Sequence, residues 1–200
     1  MALLFGRWDT KDVKISDIGL SKYLNLDARV VPHTFGKISR NPLKKANVNL
    51  VERLANKIMR SGQGKRKLSG KYIRGRGSCG KKLQALEIVE RALMIVERET
   101  KENPVQALVR AVENSAPRED TTRIERGGIT YTQAVDVSPM RRADEALKNI
   151  ALAGFAASFN NKTPAEAALA KEIIAASKEE NSSYAVRRRD EIERIAKGSR

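Results

Sequence analysis

The charge of this 200-residue chain is concentrated in one segment, and this constrains its folding more than any other feature. Residues 29–82 contain sixteen Lys and Arg side chains and a single acid, Glu52, whereas acids and bases balance on either side of them. Within this segment, residues 29–47 and 63–80 have too few apolar side chains to offset the entropy of fixing them. We therefore expect both to be mobile in the free protein and to become ordered on a partner. The net charge of +15 forms a local field that a polyanion would neutralise, nucleic acid first and an anionic membrane second.

The composition excludes several classes of function. One cysteine rules out an internal disulfide and a cysteine-based metal cluster, and one histidine removes most catalytic triads and zinc sites. Aromatic residues make up only 4%, which argues against base stacking as the main mode of binding. The longest apolar run, residues 150–159, is about half of a membrane span, and no secretory signal opens the chain. We expect an intracellular protein with no metal, no cofactor and no catalytic residue.

Apolar residues at helical spacing predict a mainly α fold, a bundle of about six helices. The helices are expected at about residues 49–62, 82–100, 103–116, 138–159, 163–176 and 185–197. Asn49–Glu52 and Thr163–Glu166 have the spacing of capping boxes, and Asn103 followed by Pro104 is a typical helix start. The second helix carries a wide apolar stripe, which places it in the middle of the bundle. The stripe consists of Leu83, Leu86, Val89, Leu93 and Val96.

One β-hairpin interrupts the helices. Apolar and polar residues alternate along 129–137, and Gly127-Gly128 is a suitable two-residue turn after the strand 121–126. We expect the tip to project from the bundle, with Ile129, Val135 and Val137 anchoring the base. A hairpin that lies flat on the bundle would show the same alternation, since alternation requires only that one face be covered.

Two glycine patterns resemble nucleotide-binding loops but lack the context. Residues 75–80 match G-x-G-x-x-G, and residues 75–82 nearly match a phosphate-binding loop. Each pattern needs a buried strand before it and parallel strands after it, whereas here a short charged segment precedes and helices follow. His33 has no orienting partner in the sequence and is interpreted as structural or RNA-facing, and Cys79 as a free thiol without a function.

Several motifs together resemble a known family. The N-terminal part of the second predicted helix carries Gly80-Lys81-Lys82 followed at fixed spacing by Ile88-Val89 and Ala92, and three longer runs keep the same order. They are Asn103-Pro104-Val105, Pro117-Arg118-Glu119-Asp120 and Val135-Asp136-Val137-Ser138-Pro139-Met140-Arg141-Arg142. From about residue 41 to residue 200 the chain resembles the seventh small-subunit ribosomal protein family. The opening Phe5-Gly6-Arg7-Trp8-Asp9, the long loop before Gly80 and the C-terminal ending resemble archaeal and eukaryotic members, and the loop favours the archaeal type.

The resemblance implies a helical bundle with one protruding hairpin that binds the 3′ major domain of small-subunit rRNA and nucleates assembly of the head. It also implies that neighbouring proteins of the head are partners. The protein would lie at the exit site, with its hairpin and its C-terminus near mRNA and tRNA. Residues 1–47 are then an N-terminal extension and basic arm, and residues 48–200 the helical domain. The domain would contain a basic loop at 63–80, the hairpin at 121–137 and a basic C-terminal helix at 184–200.

Basic residues in these segments are the predicted rRNA contacts, because recognition of folded rRNA relies on phosphates and shape. They are Arg40, Lys44, Lys45, Arg53, Lys57, Arg60, Lys65, Arg66, Lys67, Lys71, Arg74, Arg76, Lys81, Lys82, Arg118, Arg141 and Arg142. Eight further residues are predicted to lie near mRNA or tRNA. They are Arg123, Arg126, Tyr131, Gln133, Arg187, Arg188, Arg189 and Arg200.

Two other classes remain open from the sequence. A helical DNA-binding protein would carry its charge on a recognition helix, whereas here the charge lies on an arm and a loop. An RNA-modifying enzyme would need a cofactor site, which the sequence does not contain. For the C-terminal arginines, RNA contact and an ordinary solvated helix face are equally consistent with the pattern.

Overall fold

The computed structural model describes residues 3–36, 42–61, 67–68, 71–72 and 80–200. Its helices confirm the predicted mainly α bundle with one hairpin. A four-residue helix (α1, Ile18–Ser21) and a 3₁₀ helix (Pro42–Asn47) precede six longer helices. The six are α2 (Leu50–Arg60), α3 (Lys82–Thr100), α4 (Pro104–Ser115), α5 (Pro139–Ser158), α6 (Ala165–Ser177) and α7 (Tyr184–Lys197).

Helix α6 lies at the centre of the bundle and packs against α3, α4 and α5. Its alanine-rich sequence suits this place, because small side chains let helix backbones approach closely. The two helices approach closely at Gly154 of α5, where an added Cβ would lie 3.2 Å from Leu169 Cδ1 and 3.3 Å from Leu169 Cα. Both of these residues are buried, so a larger side chain at Gly154 would push α5 and α6 apart.

Two of the predicted helix starts are confirmed, and one is wrong. The Asn49 side chain accepts from Val51 N at 2.8 Å, and that of Asn103 accepts from Val105 N at 3.0 Å. Before α6 the N-cap position is taken by Pro164, with no side-chain cap bond, so the capping box predicted from Thr163 does not form. The proline occupies the position that the threonine would need to occupy to cap the helix.

The apolar stripe of α3 is shorter than predicted. Leu83 is 74% exposed, and burial begins one turn later, at Ala85 and Leu86. The first turn of α3 extends beyond the packed part of the bundle, so periodicity alone assigned Leu83 to the wrong environment. The rest of the stripe, from Leu86 to Val96, lies in the core as expected.

The N-terminal segment runs along the bundle and contributes to the same core. Leu4 and Trp8 are buried, and Trp8 Nε1 donates to Glu97 Oε2 on α3 at 3.0 Å. Further along, the Gln106 side chain binds the backbone of Lys14 through both its oxygen (2.8 Å) and its nitrogen (3.0 Å). The composition of residues 1–47 differs from that of the helical domain, but the segment shares the hydrophobic core of that domain.

The hairpin consists of β3 (Glu119–Arg126) and β4 (Ile129–Asp136), paired antiparallel. Gly127 and Gly128 both have positive φ, +57° and +78°, as a type I′ turn requires. The base of the hairpin packs against α7. The predicted anchoring role of Ile129 and Val135 is wrong, since their exposed fractions are 58% and 39%. Ile129 follows the turn directly and therefore lies at the tip.

A second, much smaller antiparallel pair lies within the segment predicted as an irregular loop. Strand β1 (Lys67–Leu68) pairs with β2 (Lys71–Tyr72) in a two-residue ladder. The predicted order of residues 63–80 on a partner stays a prediction, because most of this segment lies outside the described residues.

Candidate nucleic-acid interface

Three cations of the basic segment surround one carboxylate, that of Asp144 on α5. Lys45 forms an ion pair with it, Arg53 Nη2 lies 3.3 Å from Asp144 Oδ1, and Lys57 Nζ lies 3.5 Å from the same oxygen. Burial alone would raise the pKa of Asp144, but the hydrogen bond from Lys45 and the charges of Lys57 and Arg53 hold it below its usual value. The cluster carries more positive than negative charge, and burial and the neighbouring Lys45 lower the pKa of Lys57.

The members of this cluster differ in how accessible they are. The side chain of Lys45 is 43% exposed and that of Lys57 is 21% exposed, whereas that of Arg53 is only 2% exposed and also donates to Tyr23 O. Arg53 was predicted to contact rRNA, and its burial corrects this: its guanidinium joins α2 to α5 and to the N-terminal segment. Lys45 and Lys57 remain candidates for phosphate contact.

Glu52, the single acid of the basic segment, also lies inside the protein. Its residue exposure is 1%, and its Oε1 accepts from Thr34 N at 3.0 Å, from Thr34 Oγ1 at 2.8 Å and from Lys82 Nζ. Burial would raise the pKa of Glu52, whereas the hydrogen bonds from Lys82 and Thr34 lower it below its usual value. One ionised carboxylate therefore joins the basic arm, α2 and the start of α3. In place of the predicted capping box, Glu52 holds these three elements together.

Other basic side chains of the segment are exposed and lie around these clusters. Lys44, Arg60 and Lys81 are exposed, and no carboxylate of the described residues lies within ion-pair distance of them. They precede α2, end α2 and precede α3, respectively. Because their charges are not neutralised within the described part of the chain, they are the strongest candidates for phosphate contact.

Three arginines near the base of the hairpin were predicted to contact rRNA: Arg118, Arg141 and Arg142. Of these, only Arg118 has no ion pair with a carboxylate of the described residues. Arg142 is buried and its Nη2 lies 2.8 Å from Asp17 Oδ2, while Arg141 Nη2 lies 2.9 Å from Asp120 Oδ2. The prediction for Arg142 is therefore corrected to a structural role, because its ion pair fastens the N-terminal segment to α5. Arg118 is exposed at the rim of an open polar cleft that Arg142 also lines, and no described carboxylate pairs with its side chain.

The hairpin register separates the residues predicted to lie near mRNA or tRNA. The pairs Ile124–Tyr131 and Thr122–Gln133 share one face, whereas Arg123 pairs with Thr132 on the other. By register, Arg126 is assigned to the same face as Tyr131, because it pairs with Ile129. Tyr131 is 54% exposed, and Gln133 and Arg123 are exposed. One hairpin therefore presents two different surfaces.

The C-terminal arginines are mostly bound to acids of this chain. Arg189 Nη1 donates to Asn114 O and lies 2.6 Å from Glu179 Oε1, and its side chain is 18% exposed. Arg188 pairs with Glu191 at 2.5 Å, and Arg200 pairs with Glu119 of the hairpin. Arg187 is exposed.

The remaining predicted sites cannot be placed. Arg40, Lys65, Arg66, Arg74 and Arg76 lie outside the described residues, as does Cys79, and only the backbone of Lys67 and Lys71 is described. Among the described residues, no group of His, Cys, Asp or Glu side chains is arranged to hold a metal ion. None of the described helices is long and apolar enough to cross a bilayer.

Sequence reasoning missed the two carboxylates that organise the surface. For Glu52 a signal existed, since it is the only acid among sixteen basic residues. For Asp144 there was none, because its three partners lie between 87 and 99 residues away in the chain.

Comparison with known proteins agrees with this architecture. Residues 21–200 match the family described as ribosomal protein S7p/S5e. Small ribosomal subunit protein uS7 of the archaeon Picrophilus torridus is 45% identical over 99% of this chain and 98% of its own length. The uS7 proteins of Methanothermobacter thermautotrophicus and Methanococcus maripaludis are 44% and 46% identical over 100% and 98% of this chain, covering 100% and 98% of their own lengths. The chain therefore belongs to the S7p/S5e ribosomal protein family, whose members are structural and not enzymes.

Proposed function

We propose that this protein, as a structural part of the small ribosomal subunit in the cytoplasm, binds the 3′ major domain of small-subunit rRNA and nucleates assembly of the head. The observation that carries the proposal is the group of exposed, unneutralised cations Lys44, Arg60 and Lys81 at the ends of α2 and α3. Lys45 and Lys57, which are partly exposed members of the Asp144 cluster, add further positive charge to this group. Folded rRNA carries closely spaced phosphates that such a surface neutralises.

A binding competition tests this proposal and separates it from DNA binding. Labelled 3′ major domain rRNA is bound to the full chain at physiological salt and displaced by unlabelled rRNA or by duplex DNA of equal length. We expect rRNA to compete at much lower concentration, because the described cations lie on an arm and at helix ends rather than along a recognition helix for a major groove. Equal competition by duplex DNA would contradict the proposal.

The hairpin carries the second part of the proposed function, a place in the exit site near mRNA and tRNA. Its support is the exposure of Tyr131, Gln133 and Arg123 on a ribbon that packs against α7. Neighbouring head proteins are the remaining partners expected, and no membrane is involved.

Deletion of residues 123–131 tests this part. Because both strand ends near the tip are exposed, we expect the shortened protein to keep its thermal stability and its rRNA affinity. Subunits assembled with it should hold exit-site tRNA less tightly than subunits with the full chain. Unfolding, or loss of rRNA binding, would show that the hairpin is part of the core or of the rRNA surface and would overturn this assignment.

A further inference from the structure

Phe35 of the basic arm is an aromatic side chain left in water. It is 78% exposed, more than any other aromatic side chain that the structure describes, and the next is Tyr131 at 54%. Its φ is +51°, in the left-handed region that bulky residues seldom adopt. An exposed apolar ring on a strained backbone is unfavourable for the free protein by itself, and strain of this kind is concentrated at binding sites.

The surroundings hold this ring in place. The His33 ring stacks on it with the centroids 4.2 Å apart and the planes 27° from parallel, and the Phe35 N–H donates to His33 Nδ1 at 2.8 Å. Thr34, between the two rings, is fastened to the buried Glu52 through both its N–H and its hydroxyl. One side of the Phe35 ring is therefore covered by His33. Contrary to the mobility expected for residues 29–47, the bonds of Thr34 to the buried Glu52 hold this part of the arm against the bundle.

Basic residues are linked to the pair through Glu52 and through the chain. Glu52 also binds Lys82, which places Thr34 and the start of α3 at the same carboxylate, and the neighbouring Lys81 is exposed. Arg29, on the same arm, is exposed as well. A preorganised aromatic face beside cations is the arrangement that proteins use to bind unpaired nucleotides, with the base on the ring and the phosphate near the charges.

We propose that the outer face of the Phe35 ring is a stacking platform for one unpaired nucleobase of RNA, held ready by His33 and by the Thr34–Glu52–Lys82 contacts. This inference rests on the proposed function, since the RNA that supplies the base is the rRNA bound by the basic surface. It is consistent with the low aromatic content, because stacking then occurs at one position and phosphate contacts supply most of the binding.

The test compares three variants of the full chain in binding to 3′ major domain rRNA. Phe35→Ala should weaken binding by roughly 5- to 150-fold, the range expected for loss of one stacked base, without changing the salt dependence. Phe35→Tyr should bind like the natural protein. Ile18→Ala is the matched control, because Ile18 is 89% exposed and apolar but lies outside the basic segment, and it should have no effect.

A Phe35→Trp variant gives a direct readout. Trp8, the only natural tryptophan, is buried, so emission that changes on binding comes from position 35. Stacking of the introduced indole ring on a base should quench its fluorescence when rRNA is added. Absence of quenching, or a Phe35→Ala variant that binds as tightly as Ile18→Ala, would overturn the platform while leaving the proposed function intact. A loss seen only in subunits with neighbouring proteins, and not on rRNA alone, would assign Phe35 to a protein contact and would also overturn it. If the natural protein failed to bind rRNA, both proposals would fail.

Discussion

The basic segment and the adjacent Arg188 and Arg189 of helix α7 are both runs of basic residues, yet the structure neutralises their charges to different extents. In the basic segment, three cations surround the carboxylate of Asp144 and one pairs with that of Glu52. By contrast, Lys44, Arg60 and Lys81 have no described carboxylate within ion-pair distance. In and beside α7, Arg188 and Arg189 each lie against acids of their own region. We therefore expect a run of basic residues to bind phosphate only where nearby carboxylates are fewer than the cations. Whether charge is left for phosphate depends on the number of carboxylates that lie close to the cations in space, which the local sequence alone does not reveal.

The largest effect is expected from removing Asp144 of α5, the acid that three cations of the basic segment share. Asp144→Asn leaves the buried Arg53 guanidinium without its counter-charge, and loss of one partner of a largely buried pair costs about 3 kcal/mol. We expect the free energy of unfolding, measured with urea, to fall by about that amount. Asp12→Asn is the control, because Asp12 is exposed, and it should change little. Equal stability of the two variants would contradict the role given to Asp144.

RNA binding gives the next largest difference between the two regions. Replacing Lys44, Arg60 and Lys81 together by alanine should lower the steepness of the salt dependence by about 3, one unit for each lost phosphate contact. Alanine at Arg188 and Arg189 should lower it far less, since acids already neutralise these side chains. Binding of each variant to 3′ major domain rRNA is measured at several salt concentrations. The same loss in both variants would remove the distinction between the regions.

Acidity should weaken the contacts made by three carboxylates, those of Asp17, Glu52 and Asp144. The folded-state pKa values of Asp17, Glu52 and Asp144 lie below their usual values, so the stability they contribute is complete above the unfolded pKa values of 3.8 and 4.5. It is lost as the pH falls below these values and through the folded pKa values. Unfolding free energy measured from pH 6 downward should therefore decrease most steeply below about pH 4.5. In the Asp144→Asn variant, the free energy of unfolding should decrease less steeply with falling pH. The same steepness in both proteins would contradict this expectation.

The smallest effect is expected in the C-terminal region. Glu179→Gln removes an ion pair whose acid is 55% exposed, and such surface pairs contribute between 0 and about 1 kcal/mol. Thermal unfolding should detect little change, because Arg189 keeps its bonds to Asn114 O and Asp190. A loss comparable to that of Asp144→Asn would show that the two regions are more alike than the accessibility of their charges indicates.

The sequence predicted what depends on neighbours along the chain. Periodicity placed the six long helices, the Asn49 and Asn103 caps are local features, and the two-glycine turn fixed the hairpin. It could not place contacts between distant segments: the Asp144 cluster and the attachment of Thr34 to Glu52 join residues that share no pattern. Leu83 shows the same limit, since a helical stripe does not reveal where the helix extends beyond its packing partners. Among the candidate sites, the sequence identified the basic segment but not which of its cations are already neutralised.

The central claim, that uncompensated cations of the basic segment bind rRNA phosphates, is tested most directly by the salt dependence of the natural protein. The equilibrium constant for 3′ major domain rRNA is measured between 50 and 200 mM salt, where neutralising roughly 6 to 10 phosphates would change it about 10³- to 10⁵-fold. We expect a linear plot of the logarithm of this constant against the logarithm of the salt concentration, with a steep negative slope. A slope near zero would contradict it, because the affinity would then come from contacts that do not involve these charges.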